Sequence, residues 1–359
     1  MSNKRSASSL ARGTKQWVMR YPWLSFLAAT VMLAAIIHFY VALLVPPARE
    51  AAWQEIEVTR GMSFKALSST LHRRGVIRYP GYFEFFARLQ GITRNVRIGY
   101  YGLGRHMSLW QVLRAFRKGH IIEYAVTIPE GYNMFQIGYV VAKTPIASGS
   151  RQFIRLARDK SFSHSLGVEA DTLEGYLFPD TYYFPKGTTI EEVARQMVRR
   201  YQALFVDSYR SRAEEMGFTE HQIITLASII EKEAKWPSER TTISAVYHNR
   251  LKIGMKLQAD PTAVYGKQAW VRKVTSRDLK RKTRYNTYIY KGLPPGPIAN
   301  PGHGSILAAL HPEPVDYLFF VAQGDGSHFF SKDYATHRSA VKRYRAVQQN
   351  ARRNRNKQR

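Results

Sequence analysis

The chain has 359 residues, 45% of them apolar and 22% charged. That excludes a wholly disordered, collagen-like or mucin-like protein and leaves room for two domains. Its 54 Lys and Arg outnumber 26 Asp and Glu, a net charge of +28, so nucleic acid, anionic lipid or an anionic polymer would suit it as a partner. No Cys occurs, which removes thiol catalysis, disulfides and Cys-based zinc sites.

The first predicted element is the run Trp23–Val45, 23 residues without Asp, Glu, Lys or Arg. At about 1.5 Å per residue it reaches roughly 34 Å, enough to cross a hydrocarbon core of about 30 Å as a helix. Tyr21 and Trp23 suit one interface, and Pro46-Pro47 stops the helix at the other. Lys4, Arg5, Arg12, Lys15 and Arg20 precede it with no acid among them, so the positive-inside rule puts residues 1–22 in the cytoplasm and the rest outside. The run is too long for the apolar region of a cleaved signal peptide, and no small-x-small site ends it. The expected state is a single-pass anchor in a bacterial inner membrane with an extracytoplasmic body. That topology opposes nucleic acid as a partner. His38, the titratable side chain inside the run, needs no function there.

Beyond the anchor, residues 53–125 read as a small α+β module. Ile56 and Val58 alternate as in a strand that breaks at Gly61, and Phe64, Leu67 and Leu71 follow at helical spacing up to Gly75. A second helix over Gly81–Gln90 places Phe83, Phe86 and Leu89 on one face. A third over Leu109–Lys118 carries Leu109, Val112, Leu113 and Phe116 and stops at Gly119. The stretch from Val126 (VTIPEGYNMFQIGYVVA) echoes the strand, glycine turn and helix of VTRGMSFKALSSTLHRRG, a weak internal repeat. Lys143–Ser163 reads as loop and short helix. The larger unit spans 126–347, and residues 348–359 form a basic tail expected to be solvated.

Four clusters could carry chemistry. The first, Leu173–Tyr182, sets Glu174 and Asp180 among aromatic residues around a Gly and a Pro, as in a turn feeding a strand. The second is a helix opened by Thr219 and Gln222 as a capping box. Ile223, Leu226, Ala227, Ile230 and Ala234 share one face, and Ile224 and Ile229 widen it. Its two final acids differ. Glu233 follows Ile230, Ile229 and Leu226 at i−3, i−4 and i−7, whereas Glu231 follows Ser228, Ala227 and Ile224. Glu233 therefore faces the more apolar wall, where desolvation raises a carboxyl pKa toward the range of a general acid. A Glu-Lys-Glu run that simply faces water is the plain alternative. The third cluster, Tyr247–Thr262, displays Gln258, Asp260 and Thr262 around a Pro, groups suited to sugar hydroxyls and amides. The fourth joins Tyr285-Asn286-Thr287-Tyr288 to Gly292–Gly302, where three Gly and four Pro in eleven residues exclude helix or central strand. No phosphate-loop, dinucleotide, zinc-protease or serine-hydrolase pattern occurs in a suitable context. The His residues lack ligand spacing, so neither a metal nor a cofactor is expected.

Leu226–Ala234 (LASIIEKEA), Glu174–Thr181 (EGYLFPDT), Asn249–Thr262 (NRL…GMKLQADPT) and Tyr285–Gly302 (YNTY…GLPPGPIANPG) together resemble the endolytic murein transglycosylases, the MltG or YceG-like family. The order of the motifs, the anchor and the small module match as well, over roughly residues 24–346. The resemblance implies an α+β chain with a LysM-like module and a catalytic domain that is a lytic transglycosylase. Such an enzyme cuts peptidoglycan strands internally between N-acetylmuramic acid and N-acetylglucosamine, leaves 1,6-anhydro ends, and works beside peptidoglycan synthases. It assigns catalysis to Glu233, the residue the helix wheel also singles out, and substrate binding to Glu174, Gln258, Asp260, Asn286 and Tyr288. A two-carboxylate hydrolase and a non-catalytic wall-binding scaffold are the rival readings.

Overall fold

The computed structural model describes residues 22–49, 52–146, 149–266 and 274–357, with side chains to residue 346. The basic residues expected in the cytoplasm before the anchor lie outside that range. The described chain divides into two compact units, residues 1–123 and 124–359.

In the first unit, α1 (Pro22–Leu44) is long and apolar enough to cross a membrane, and few of its residues are buried. Strands β1 (Trp53–Val58) and β2 (Gly99–Gly104) pair antiparallel, Trp53 opposite Gly104 and Val58 opposite Gly99. Between them lie α2 (Phe64–Arg73) and α3 (Pro80–Leu89), and α4 (Leu109–Lys118) follows. Ile56, Leu67, Leu71, Phe83, Tyr101, Val112 and Phe116 form the module's core. One expectation is corrected here. Pro80 sits in the first turn of α3, and the buried stripe runs through Phe83 and Ala87, leaving Leu89 72% exposed. Phe83 and Ala87 are one helical turn apart, whereas Leu89 is six residues from Phe83, about 120° away around the helix at about 100° per residue.

The second unit opens with β3 (Glu123–Thr127) and α5 (Met134–Ala142). The echo noted in the sequence is structural: Gly61 (φ +79°) and Gly131 (φ +73°) each stand two residues before the cap, Ser63 or Asn133, of the helix that follows a strand. Next come α6 (Ser150–Ala157), α7 (Lys160–Ser165) and β4 (Thr181–Pro185), which pairs with β3. Helices α8 (Ile190–Leu204) and α9 (Asp207–Glu215) lead to α10 (Glu220–Glu233).

Helix α10 is the hub of the unit. Every residue from Ile223 to Ile230 is buried, so the helix is apolar all round and passes through the core rather than along it. Thr219 and Gln222 close the expected capping box. Around α10 pack α11 (Arg240–Lys252), the short α12 (Asp260–Val264) and, beyond the small α13 (Ser276–Leu279), α14 (His303–Leu310). An antiparallel hairpin of β5 (Phe319–Ala322) and β6 (His328–Ser331) covers α11, with the Phe320 ring edge-on to Tyr247. The final helix, α15 (Tyr334–Lys357), continues through most of the stretch expected to be a solvated tail.

Candidate active site

Glu231 and Glu233, two residues apart on α10, have different surroundings. Glu231 accepts from the Gly302 backbone N–H at 3.2 Å and from Ser305 Oγ at 2.7 Å. It thus anchors the first turn of α14, where an anion offsets unpaired backbone N–H groups. Arg240 adds a charge 3.8 Å away. Lys232 donates to the Gly131 carbonyl at 3.1 Å. Both residues tie the end of α10 to its neighbours.

Glu233 is the last residue of α10 and keeps partial solvent access. Enough protein nevertheless surrounds its carboxyl that desolvation, reinforced by the negative charge of Asp260, pushes its pKa up to about 8. The negative end of the helix dipole acts in the same direction. The Asp260 backbone N–H, the Tyr247 hydroxyl and the Arg250 charge pull the other way. They do not win: burial of the carboxyl and the Asp260 charge outweigh them. Arg250 spends its guanidinium on two carbonyls, Leu318 O at 2.7 Å and Leu257 O at 2.6 Å. A carboxyl pKa raised in this way suits a general acid near neutral pH.

Asp260 and Tyr288 flank it. Asp260 begins α12, and Tyr288 Oη donates to it at 2.6 Å, a short bond of the kind a charged acceptor makes. The two segments are stitched together underneath. Thr287 Oγ1 accepts from the Ala259 N–H at 3.0 Å and lies 2.8 Å from Thr262 Oγ1, which donates to the Ala259 carbonyl at 2.6 Å. Gln258 is exposed with φ +51°, the only non-glycine with positive φ among the described residues. Backbone strain of that kind, about 1–2 kcal/mol, concentrates at functional sites. Arg250 holds the preceding carbonyl and so fixes where this turn begins.

Glu174 and Asn286 lie in the interior. Glu174 is 1% exposed. Its oxygens accept from Met134 N at 3.0 and 3.1 Å, Tyr265 Oη at 2.9 Å and Asn300 Nδ2 at 2.9 Å. Burial still pushes its pKa up to about 7. Asn286 is fully buried, donates to the Leu279 and Arg281 carbonyls and accepts from the Tyr288 N–H at 3.0 Å. Both expected binding residues are thus placed in the interior, their polar atoms hydrogen-bonded to protein, where they position the segments that carry Tyr288 and the proline-rich loop.

That loop is a buried strap. Asn300 Oδ1 accepts from the Gly175 and Leu177 N–H groups at 2.9 Å, and its amide donates to Glu174. Ser228 of α10 accepts from the Ile298 N–H at 3.0 Å. Residue-by-residue reading missed Asn300, Tyr247 and Arg250. Tyr247 and Arg250 lie three apart on α11, a spacing that could have marked them as one polar pair aimed at the end of α10.

The described chain thus joins a helix long and apolar enough to cross a membrane to an α+β unit whose buried central helix ends in a carboxyl of raised pKa. The YceG-like family model matches residues 56–343, and the chain belongs to that family. It is 33% identical over 305 residues to the endolytic murein transglycosylase of Bacillus subtilis (strain 168), covering 80% of this chain and 84% of that one. It is 27% identical over 350 residues to the endolytic murein transglycosylase of Streptococcus pneumoniae serotype 2 (strain D39 / NCTC 7466), spanning 63% of that longer relative. The crystal structure of a YceG-like protein from Listeria monocytogenes superposes with a TM-score of 0.55 at 32% identity, over 80% of this chain and 98% of that one.

Proposed function

We propose that the chain is an endolytic murein transglycosylase that uses Glu233 as its acid and then its base. The observation that carries this reading is the place of Glu233 at the end of the buried α10 beside Asp260, where burial and that negative charge push its pKa up to about 8. Glu233 donates to the glycosidic oxygen between N-acetylmuramic acid and N-acetylglucosamine, and positive charge develops at the muramic C1. Asp260, held by Tyr288, faces that charge, and an anion placed where charge develops stabilises the transition state. Glu233, now ionised, takes the proton of the sugar's own C6 hydroxyl as that oxygen closes on C1. The nucleophile belongs to the substrate, so one catalytic carboxyl suffices, unlike the pair of an ordinary glycosidase. The exposed Gln258 supplies a polar contact to the sugar.

The chain organisation completes the proposal. Residues 23–45 anchor the protein in the inner membrane with residues 1–22 cytoplasmic. Residues 53–125 are a LysM-like wall-binding module, 126–347 the extracytoplasmic catalytic domain beside the peptidoglycan synthases, and 348–359 a basic tail. The anchor's length and the positive charge before it support this orientation.

The proximity of Asp260 favours one rival, a hydrolase in which it activates water. Mass spectrometry of glycan strands digested by the full chain decides between them. Products lighter by one water at the muramic end support the transglycosylase, and reducing ends support the hydrolase. Glu233→Gln should lower cleavage by about 10²–10⁴-fold, the usual worth of a general acid, with glycan binding retained. Undiminished cleavage by that variant sinks the reading.

A further inference from the structure

We infer that the small module is seated in the outer leaflet of the bilayer, with α3 and the start of α4 lying in the lipid interface beside α1. The inference rests on α1 being a membrane anchor.

The geometry begins with ring contacts. Phe39 of α1 lies 6.2 Å from the Tyr82 ring and 5.9 Å from Phe86, and His38 packs edge-on to Tyr79 at 5.3 Å. Phe39 stands five residues before Leu44, the last residue of the helix, which is about 7–8 Å along its axis. A 23-residue helix exceeds a hydrocarbon core of about 30 Å by only about 4 Å in all, or roughly 2 Å at each end. Phe39 therefore lies about 5 Å below the hydrocarbon boundary on the outer side. Rings that touch it can do so only if α3 enters the interface.

The outward surface of the module fits that depth. On α3, Phe85 and Leu89 are 57% and 72% exposed, one turn apart, and on α4 Trp110 is 43% exposed. Trp110 joins Ile36, Phe39 and Leu43 of α1 around an apolar cavity of about 370 Å³, and Tyr79, Tyr82 and Phe85 border a second of about 570 Å³. The apolar face is thus continuous with the helix already in lipid. Aromatic residues at such a level match the headgroup belt. The charge fits an anionic leaflet: residues 52–123 hold 12 Lys and Arg against 4 Asp and Glu. Arg114 and Arg117 stand four and seven residues beyond Trp110, on the same side of α4, where their stems can run over apolar surface while the charge meets phosphate.

The native chain lacks Cys, so single cysteines can carry a nitroxide without background. The full chain is reconstituted into nanodiscs of phosphatidylcholine and phosphatidylglycerol with labels at Phe85→Cys, Leu89→Cys and Trp110→Cys. Ala34→Cys serves as a lipid reference and Glu214→Cys as a water reference. The expected result is that labels at 85, 89 and 110 relax faster with lipid-soluble oxygen than with a water-soluble nickel complex, as at Ala34→Cys and opposite to Glu214→Cys. If Ala34→Cys reports lipid while the other three behave like Glu214→Cys, the module does not touch the bilayer and the inference is overturned. If Ala34→Cys itself reports water, the anchor reading fails first. Protection that vanishes in discs holding a single chain assigns the face to a second copy and also overturns it.

Discussion

At the residue scale, two acids of one helix end take opposite roles because their neighbours differ by 200° of helical turn. Glu231 is consumed as a cap for α14, and the pKa of Glu233 is pushed up to about 8. If Glu233 is the acid, kcat/KM must be flat below pH 7 and fall above a limb near pH 8, where the free enzyme loses that proton. Asp260→Asn removes the like charge that helps raise this pKa, so the limb should move to lower pH as the rate drops. Tyr288→Phe keeps the charge of Asp260 but deletes its 2.6 Å hydrogen bond. The limb should then stay in place while kcat falls roughly ten- to hundredfold, the loss expected for a hydrogen bond to a charged group worth about 1.5–3 kcal/mol. Rate profiles on a defined glycan, measured side by side, separate the two effects. A limb that Asp260→Asn leaves unmoved would mean that burial alone sets the acid.

At the element scale, three of the sequence motifs form two interlocked pairs of segments around the fourth, which is on α10, with the Tyr285–Gly302 motif contributing to both pairs. The strap of residues 294–302 and the turn at Glu174 hold each other through Asn300. The 258–262 and 285–288 segments hold each other through Thr262 and Thr287. The first pair braces α10, and the second carries the polar groups at its end. Gly175 is a point of the brace where backbone and rigid neighbours leave no room for a side chain. Its φ is +91°, and a Cβ there would lie 2.7 Å from Pro297 Cβ and 2.9 Å from Ile224 Cγ2. Gly175→Ala should therefore cost about 3 kcal/mol, from overpacking and left-handed strain together, read as a lower denaturant midpoint of the catalytic unit. Much of this element level was legible from residue order alone. The capping box at Thr219 and the burial of Ile223, Ile224, Leu226, Ala227, Ile229 and Ile230 follow from local propensity and helical period, which one segment carries within itself. The placement of Glu174 and Asn286 was not legible. Whether a polar side chain faces solvent or is satisfied by chain 126 residues away, as Glu174 is by Asn300, depends on packing that no local pattern encodes. Leu89 failed for a related reason: a short amphipathic helix with aromatics all round has no unique apolar face until its neighbours choose one.

At the scale of the whole molecule, the buried acids make stability depend on pH in a definite direction. Glu233, at about 8, and Glu174, at about 7, both lie above the ordinary Glu value of 4.5. Between those limits the folded chain binds more protons than the unfolded one, so stability falls as pH rises. Each group's contribution is complete below pH 4.5 and is lost as pH passes through its folded value; for the fully enclosed Glu174 the span is worth about 3 kcal/mol. The net charge of +28 works the other way, because acidification adds positive charge to a chain that already repels itself. The two influences separate in a variant that shares the charge background. Glu233→Gln lacks one titrating carboxyl and little else, so its melting temperature relative to the parent should climb as pH goes from 5 to about 9, by roughly 2–4 °C for each kcal/mol no longer forfeited. Scanning calorimetry of both proteins across that range, following the transition of the larger unit, tests it. A constant difference between the two would mean that Glu233 is already ionised at pH 5, and the proton on which the proposed cleavage depends would be absent.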